Sequence, residues 1–552
     1  MERRDFLQKL PALAAPLLLG GIPFRLLGKE NELFQLAASN PDSDRVLVII
    51  QLHGGNDGLN TLVPINQYSK YYSLRQNIAL PQTGNRKYIN LDGTLTDNAQ
   101  IGLHPDMTGM KALYDQGKMA VVQGVAYENF NQSHFRSRDI WLMGGDYDEY
   151  LGSGWAGRYL DKTYPNYPNN FPNPDMKDPL AIEVGSGVSL AFHRDSGAPM
   201  SIAINDPDGF FNLIDTTGIE PPANIADSYY GDELRYILDV DKQSNKYAGR
   251  LKEVYDKGTN TANVVYPTTY PLNAPSAYAK NELAPQLKMI ARLLSGGCKT
   301  RVFLVRLTKF DTHAKQVEDY DPSIGRHAAL LYHISSAMKA FQDDLKGLAL
   351  EDKVMSVTFS EFGRRVESNG SYGTDHGTAA PMFVFGKCVQ PGVVGVNPDL
   401  SNLDNGNLRQ QHDYRQVFTS LIHDWMGASA EALQATRFDG FVASKLPLVS
   451  CVSTTVGIEK TQFVNDRYHL NSCFPNPATT KTTFSFYVNG EQEVSLIIYD
   501  TMGRKVKTVW EGSAVMGEHT IEQDLSELVP GSYIYTLQTG VLKTSKTLMV
   551  AR

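Results

Sequence analysis

The chain has 552 residues, of which 42% are hydrophobic and 20% charged, and its 52 basic and 60 acidic residues give a net charge of -8. This is the composition of a globular protein too long for one compact core, so we expect two or more domains. The mild charge and the lack of a lysine and arginine cluster that could follow a phosphate backbone argue against nucleic acid as a partner.

Residues 1–38 have the features of an export signal. Arg3 and Arg4 stand near the start, and prolines interrupt the apolar stretch from Leu10 to Leu27 three times. A membrane span needs roughly 20 unbroken apolar residues, so we expect no transmembrane segment in the mature chain. The arginine pair resembles a twin-arginine signal, and the alternative is a Sec signal with a chance arginine pair.

Five apolar, β-branched runs predict buried parallel strands, and helical patterns lie between several of them. The strand-like runs are residues 46–50, 119–123, 302–306, 355–359 and 381–385, and the clearest helical patterns are residues 283–294 and 327–345. Strands that alternate with helices predict an α/β domain with a doubly wound, mostly parallel sheet over residues 44–450.

Residues 161–280 differ in texture, because a loop rich in proline and asparagine is followed by acidic, tyrosine-rich segments. We predict an insertion that caps the carboxyl edge of the sheet. Such an insertion either shapes the choice of substrate or has no functional part.

After a linker over residues 451–470, residues 471–552 contain short strand-like runs separated by turn signals such as Asn489-Gly490. This pattern predicts a small antiparallel β-sandwich.

The four cysteines are too few for a disulfide scaffold and lack the Cys-x-x-Cys spacing of zinc sites. In an oxidising compartment they allow one or two bridges. A bond between Cys451 and Cys473 would clamp the segment between the two domains.

Site-type residues directly follow the predicted strands in five segments. In an open α/β sheet the carboxyl ends of the strands face one crevice, so these segments can converge. Carboxylates and imidazoles without thiolates suit one or two divalent ions such as Zn²⁺ or Mn²⁺. The segments contain His53 with Asp57, Ser133 with His134, Asp311 with His313, Glu361, and Asp375 with His376.

Two of these residues have an ordinary alternative. Ser133 begins a helical pattern, where a serine hydroxyl either binds an anion or acts as a nucleophile, or simply caps the helix. Glu361 is either a ligand at a strand end or a partner of Arg364 or Arg365 at the start of an exposed helix.

Longer motifs carry a family resemblance. The motifs are LHGGNDGLNT at residues 52–61, SHF at 133–135, FDTHAKQ at 310–316, SEFGRR at 360–365 and GTDHGTAAP at 373–381. They resemble an uncharacterised bacterial family of exported proteins that is grouped with the alkaline phosphatase, sulfatase and phosphoglycerate mutase superfamily. The resemblance covers about residues 44–430 and implies an alkaline phosphatase-like fold.

The resemblance also implies a set of site residues. Phe362 stands where the superfamily has the histidine of Asp-His-Gly, so a second metal would lack one ligand, and His376 matches either that motif or the last histidine motif. Ser133, His134 and Arg364 are the candidate catalytic residues. His53, Asp57, Asp311, His313, Glu361, Asp375 and His376 are the candidate metal ligands, with Asp57 and His53 as alternatives for the first acidic position.

Residues 474–477, 494–504 and 530–535 resemble the C-terminal sorting domain of the type IX secretion system of Bacteroidetes. The resemblance implies export through the periplasm, the type IX machinery as a partner, and a final location at the cell surface or outside the cell.

Together these patterns predict a secreted metal-dependent hydrolase that acts on phosphate or sulfate esters of a small molecule or a polymer. In the superfamily's mechanism the nucleophile, here Ser133, attacks phosphorus or sulfur and water releases the intermediate. The alternative is a surface binding or assembly protein that keeps the fold without catalysis.

Overall fold

The computed structural model describes residues 17–19, 22–24, 44–204, 246–451 and, with short gaps, 468–551. Contacts within the chain divide it into a first unit, Met1–Val456, and a second unit, Gly457–Arg552. The predicted export signal lies outside the described residues except for the paired strands Leu17–Leu19 and Ile22–Phe24, and the predicted linker is described only at its ends. Among the described residues, no helix has the length and apolar character that crossing a membrane requires.

A nine-stranded sheet forms the centre of the first unit, in the order β8-β2-β7-β6-β1-β5-β3-β4 with β9 beside β2. Only β7 runs against the other strands. The predicted doubly wound, mostly parallel sheet is therefore confirmed. The strands are β1 Val46–Leu52, β2 Met119–Ala126, β3 Ala181–Val184, β4 Ser201–Ile204, β5 Val302–Leu307, β6 Val354–Phe359, β7 Ala380–Phe385, β8 Gly392–Val394 and β9 His412–Asp413.

Helices cover both faces of the sheet. The longer ones are α1 Thr108–Asp115, α2 His134–Met143, α3 Trp155–Thr163, α4 Leu283–Ser295, α5 Arg326–Gly347, α6 Tyr414–Ser420 and α7 Ala430–Thr436. Val48 and Ile50 of β1 pack with α1, α4 and α5 in one core, whereas Leu47 and Ile49 pack with α2, α3, α6 and α7 in another. Because both faces of β1 are buried, its sequence is continuously apolar rather than alternating.

Shorter elements complete the first unit. Helical segments lie at Gly58–Thr61, Tyr68–Leu74, residues 246–257 and Ser276–Ala279, and a π-helical turn, Leu421–Trp425, continues α6. Single 3₁₀ turns lie at Ile65–Gln67, Asp97–Ala99, Leu190–Phe192 and Asp439–Ser444. The strands Leu62–Pro64, Ile89–Asn90 and Ile101–Leu103 form a small antiparallel sheet.

The region predicted as an insertion, residues 161–280, differs from that expectation. Two of its segments, β3 and β4, extend the central sheet beyond β5 as parallel strands. Each has only four residues and is bounded by turns, so the sequence pattern was too short to distinguish them from a loop.

The second unit consists of two antiparallel sheets that share one apolar core, which confirms the predicted sandwich. One sheet contains β10 Tyr468–Leu470, β11 Lys481–Val488 and β14 Gly517–Asp524. The other contains β12 Gln492–Asp500, β13 Lys505–Ala514, β15 Gly531–Thr539 and β16 Leu542–Val550. Alternation along β11 sends Phe484, Phe486 and Val488 into the core.

One disulfide bond joins Cys388 and Cys451 within the first unit, with their Cα atoms 5.0 Å apart. The bond between Cys451 and Cys473, which the sequence left open, does not form, because Cys473 is buried with a free thiol in the second unit. The bond closes 63 residues of chain, and closing a loop of that length disfavours the unfolded chain by about 4 kcal/mol in the loop-entropy account.

This pairing can be tested by alkylation of the full chain after denaturation without reductant. We expect two of the four cysteines, Cys298 and Cys473, to react, and all four to react after reduction. Mass spectrometry of the tryptic peptides identifies the sites, and a linked peptide that contains Cys473 would contradict the pairing.

Candidate metal centre

Four side chains meet at the edge of the sheet where the parallel strands end. His134 begins α2, Asp311 and His313 follow β5, and His376 precedes the antiparallel strand β7. Ligand atoms of His134, Asp311 and His376 all lie within 4.8 Å of one another. His313 joins them, because its Nε2 lies 2.8 Å from Nε2 of His376 and 3.2 Å from Oδ1 of Asp311.

Each of the three imidazole rings has its Nδ1 next to an oxygen that can only accept a hydrogen bond. Nδ1 of His376 lies 2.8 Å from the carbonyl oxygen of Gln132. Nδ1 of His134 lies 2.9 Å from Oε1 of Glu361, and Nδ1 of His313 lies 3.2 Å from Oδ1 of Asp375. The hydrogen must therefore be on Nδ1 in each neutral ring, which leaves the lone pair on Nε2.

These three Nε2 lone pairs point into the same small space as the Asp311 carboxylate. Nε2 of His134 lies 3.5 Å from Oδ2 of Asp311 and is a buried atom without a hydrogen-bond partner among the described residues. Nε2 of His376 lies 3.4 Å from Oδ1 of the same carboxylate. Lone pairs this close repel each other unless a cation lies between them.

The group fits one divalent ion. Three imidazole nitrogens and one carboxylate are ligands that zinc and similar first-row metals accept. Oxygen acceptors on Nδ1 are the usual outer contacts of metal-binding histidines, since they fix the ring and its tautomer. His134, Asp311, His313 and His376 are therefore the residues that would hold the ion.

The charges in the group also suit a cation. Burial raises the pKa of the Asp311 carboxyl, but the hydrogen bond and charge of Arg364, with smaller effects of His313 and His134, bring it below its ordinary value. Burial lowers the pKa of His376, and the charge of Arg364 acts in the same direction. Near neutral pH, Asp311 is therefore anionic and His376 is uncharged, which are the forms that bind a metal.

Arg364, predicted as catalytic, is completely buried and holds the site together from behind. Its guanidinium donates to Oδ1 of Asp311 at 2.6 Å and to the carbonyl oxygens of Gly54, Gly55, Phe310 and Thr374. A buried guanidinium with this many partners cannot reach a substrate. It positions Asp311 and fixes the loop after β1 against the loop after β5.

Glu361 and Asp375, both predicted as ligands, each face the Nδ1 atom of a histidine of the ligand group. Oε1 of Glu361 accepts from the backbone N–H of Gly54 and faces His134, and the side chain is fully buried. Asp375 faces the outer nitrogen of His313 and accepts from the amide of Asn369. The sequence placed both carboxylates at the correct edge of the sheet, but their partners could not be read from it.

Asp57 requires a correction to the expected ligand set. Its carboxylate is buried, pairs with Arg75 at 2.9 Å, and caps the short helix Gly58–Thr61 by accepting from two backbone N–H groups. Gln316 donates to the other side of the same carboxylate at 2.6 Å. With both oxygens bound in this way, Asp57 supports the fold and does not join the ligand group.

His53 and Ser133 lie beside the group rather than in it. The ring centroid of His53 is 6.2 Å from that of His134, and burial lowers the pKa of His53, with further lowering from the charges of His134, Arg138 and Arg306. Ser133 is exposed at the N-cap of α2, and its hydroxyl makes no capping hydrogen bond.

Phe362 forms an apolar wall of the group. Its ring centroid lies 4.8 Å from that of His134 and 4.5 Å from that of His376. At this position, where the resemblance implies a missing histidine, the chain supplies packing for two ligand rings and no further ligand.

Gly54 allows the loop after β1 to approach the ligand loop. Its backbone has a φ of +123°, and a Cβ atom there would lie 2.3 Å from the backbone nitrogen of Asp311. Any larger residue at position 54 would therefore push Asp311 out of the group.

A cleft of about 440 Å³ adjoins the group on the side of His53. It lies beyond the ends of β1, β3 and β5, and Arg138 and Arg306 are the basic residues in its lining. Buried Glu183 and Gln51 hold the Arg306 guanidinium in place, whereas Arg138 makes a 3.4 Å contact with the exposed Asp139 and lies 5.8 Å from the ring centroid of exposed Phe135. Neither arginine was recognisable from the sequence as a site residue, since neither lies in a motif with a metal-site spacing.

Comparisons with known proteins agree with this division of the chain. Residues 472–551 match the family described as Secretion system C-terminal sorting domain. The second unit is a secretion sorting domain. Residues 262–426 match the family described as Protein of unknown function (DUF1501), as the resemblance of the motifs implies. The sorting domain is of the type IX system and indicates export to the cell surface or the extracellular space.

Solved structures of low similarity also match. They include a protein in the alkaline phosphatase superfamily from Vibrio parahaemolyticus, with 12% identity over 67% of this chain and 72% of that chain and a TM-score of 0.27. Alkaline phosphatase from the Antarctic bacterium TAB5 has 10% identity over 72% of this chain and 99% of that chain, with a TM-score of 0.27. Ps i-CgsB in complex with k-i-k-neocarrahexaose has 11% identity over 81% of this chain and 83% of that chain, with a TM-score of 0.33. No protein of curated function matches the chain.

The ligand assignment predicts the metal content of the purified protein. We expect about one divalent ion per chain after dialysis. In His134→Ala and His376→Ala the affinity for the ion should fall more than about a hundredfold, because loss of a ligand weakens binding more than the roughly 10–100-fold that loss of an orienting partner causes. His423→Ala is the control, because His423 contacts Asp424, whose carbonyl accepts from Arg45 at the opposite end of β1. Elemental analysis and metal titration measure both, and full metal content in the two variants would contradict the assignment.

Glu361 distinguishes an orienting role from a ligand role. Glu361→Gln keeps an acceptor for the N–H of His134, so we expect nearly normal metal affinity, whereas Glu361→Leu removes it and should weaken binding about 10–100-fold. Equal, large losses in both variants would instead identify Glu361 as a ligand, because an amide is a poor substitute for a ligating carboxylate.

Proposed function

We propose that the first unit is a metal-dependent hydrolase of phosphate or sulfate esters that works after export. The observation that carries this proposal is the convergence of three imidazole Nε2 lone pairs and the Asp311 carboxylate beside a cleft that contains two arginines. A divalent ion at such a group supplies Lewis acidity and lowers the pKa of water.

The ligand group has an inner and an outer part. The side chains of His134 and His376 are 24% and 20% exposed, whereas those of His313 and Asp311 are each 46% exposed. Buried Arg364 fixes Asp311 by a hydrogen bond, whereas the outer nitrogen of His313 faces only the exposed Asp375. A catalytic zinc site uses three protein ligands and leaves one position for water or substrate. We assign His134, His376 and Asp311 as the three lasting ligands and His313 as the one that gives way to substrate.

The cleft would bind the anionic part of the ester. Guanidinium groups match the oxygen geometry of phosphate and sulfate through paired N–H groups. The Arg306 guanidinium is held by Glu183, so its charge is largely balanced and it orients the substrate. Arg138, one helical turn after His134, makes weak contacts with Asp139 and with the ring of Phe135, and it supplies the available charge.

Ser133 remains the candidate nucleophile. Attack by its Oγ on phosphorus or sulfur would release the alcohol, which takes up a proton, and water would then release phosphate or sulfate and restore the serine. Its exposed hydroxyl at the start of α2 is free of a capping bond, which supports this role. Direct attack by water would make Ser133 dispensable.

A non-catalytic binding protein is the second candidate, and one observation favours it. If His313 stays on the ion, four protein ligands fill a tetrahedral site, which is the arrangement of structural zinc. Phe362 closes another side of the group with an apolar ring. Such a protein would hold its ion without turning over an ester.

Hydrolysis of 4-nitrophenyl phosphate and 4-nitrophenyl sulfate by the metal-loaded protein distinguishes the two candidates. The hydrolase requires activity that chelation abolishes, and a serine nucleophile further requires that Ser133→Ala reduces this activity at least a hundredfold. Full activity of Ser133→Ala would show direct attack by water, and a metal-loaded protein that hydrolyses neither ester would support the binding protein.

Arg138 has a matched control on the same helix. We expect Arg138→Gln to raise KM about tenfold, roughly 1.4 kcal/mol, because a charge-assisted hydrogen bond to the anion is lost. Arg136→Gln should leave KM unchanged, since Arg136 donates to the carbonyl oxygens of Tyr147 and Glu149 and stacks on Tyr150. Equal KM values for the two variants would remove Arg138 from the substrate site.

A further inference from the structure

The buried amide of Gln316 forms hydrogen bonds with both of the loops that carry the ligands after β5 and before β7. Oε1 of Gln316 accepts from the hydroxyl groups of Thr312 at 3.0 Å and Thr374 at 2.9 Å. Its Nε2 donates to Oδ2 of Asp57 at 2.6 Å. The side chains of Gln316, Thr312 and Thr374 are completely buried, so water does not compete for these bonds.

The two threonines are the immediate neighbours of the ligand group. Thr312 lies between Asp311 and His313, and Thr374 directly precedes Asp375, which faces His313, and His376. One oxygen atom therefore bonds to a loop that carries two ligands and to a loop that carries another. A carbonyl oxygen has two lone pairs, and both are used here.

Chemistry fixes which way the Gln316 amide points. Burial alone raises the pKa of Asp57, but Arg75, His327 and the bond from Gln316 bring it below its ordinary value, so the carboxylate is anionic and can only accept. The NH₂ group of Gln316 must face it, and the oxygen must face the threonines. Arg75 holds Asp57 in turn and donates to the carbonyl oxygens of Arg365 and Val366.

We propose that Gln316 is a positioning residue for the metal centre, which sets the separation of the Asp311–His313 loop from the Asp375–His376 loop through its two threonine hydrogen bonds. The proposal rests on the ligand group of the proposed hydrolase but does not require that an ester is hydrolysed.

Backbone bonds alone do not account for this arrangement. The N–H of Thr374 donates to the carbonyl of Thr312 at 3.2 Å, and the N–H of Gln316 donates to the carbonyl of Tyr372 at 2.8 Å. These bonds hold the loop backbones side by side but do not fix the positions of the two threonine hydroxyl groups. The amide oxygen adds this constraint, because it accepts from both hydroxyl groups at once.

The test uses variants that differ by a hydroxyl group. Thr312→Val and Thr374→Val keep the shape and remove the donor, whereas Thr312→Ser and Thr374→Ser keep the donor. Gln316→Met removes the acceptor, and Gln342→Met is its control, because both amide atoms of buried Gln342 lack a hydrogen-bond partner among the described residues. Co²⁺ titration of the metal-free protein gives the affinity, and the visible absorption of the saturated protein reports the coordination geometry.

We expect Gln316→Met and both valine variants to bind Co²⁺ about tenfold more weakly and with a changed spectrum, as loss of an outer contact of a metal site does. The serine variants and Gln342→Met should match the wild type. Wild-type affinity and spectrum in the valine variants would overturn the proposal even if their Tm falls, since a purely structural role moves Tm alone.

The same titration separates this proposal from the proposed function. If the wild-type protein does not bind Co²⁺, both the ligand group and the positioning role of Gln316 are overturned. If the threonine variants change Co²⁺ binding, the positioning role is supported whether or not either ester is hydrolysed. If Co²⁺ binds and the threonine variants leave its binding unchanged, only the positioning role is overturned.

Discussion

The register of three neighbouring parallel strands brings Asp311, His313 and Glu361 to one edge of the sheet. Gln51 of β1 is opposite Arg306 of β5 on one side and Phe359 of β6 on the other, so the three strands end level. The segments that follow carry His53, Asp311 with His313, and Glu361. A slip of one residue in either ladder would turn alternate side chains to the opposite face and separate the group.

The antiparallel strand β7 adds a ligand that a purely parallel sheet would place at the far edge. Because β7 runs against β6, the residues before it lie where the parallel strands end, and His376 is among them. The reversed strand therefore lets two consecutive parts of the chain, after β6 and before β7, supply an orienting carboxylate and a ligand to the same space.

Charge is organised in layers around the ligand group. Asp311 touches the other ligands, fully buried Arg364 neutralises it from behind, and the Asp57–Arg75 pair supports the loops further back. A buried pair contributes little net stability by itself, but removal of one partner leaves a costly unpaired charge. These pairs thus act mainly by allowing only one arrangement of the loops.

Much of this could be predicted from the sequence, and the failures have physical reasons. Buried parallel strands are continuously apolar, so β1, β5 and β6 were recognisable, and a histidine or carboxylate just past such a strand is an unusual signal, which identified Asp311 and His313. His376 does not follow a parallel strand but precedes the antiparallel strand β7, and its motif at residues 373–381 identified it. Side-chain partners carry no such signal. Nothing in the sequence near Asp57 indicates that Arg75, which directly follows the helix Tyr68–Leu74, binds its carboxylate. The sequence also does not show that this carboxylate is buried.

The same limit applies to Glu361 and to the cysteines. A strand-end carboxylate has the same sequence pattern whether it binds a metal or a histidine N–H, and only the 2.9 Å distance to Nδ1 of His134 decides between them. Cys388 and Cys451 are 63 residues apart, and nothing in their spacing indicates that the fold brings them together.

The disulfide determines what remains of the first unit if the chain is cleaved between the two units. Cys451 is followed by the segment that leads to the sorting domain, and its sulfur is bonded to Cys388, which closely follows β7. A protease that cuts the chain after Cys451 would therefore release the sorting domain while the new C-terminus stays covalently anchored. The first unit would keep a fixed end instead of a loose one from which it could unravel.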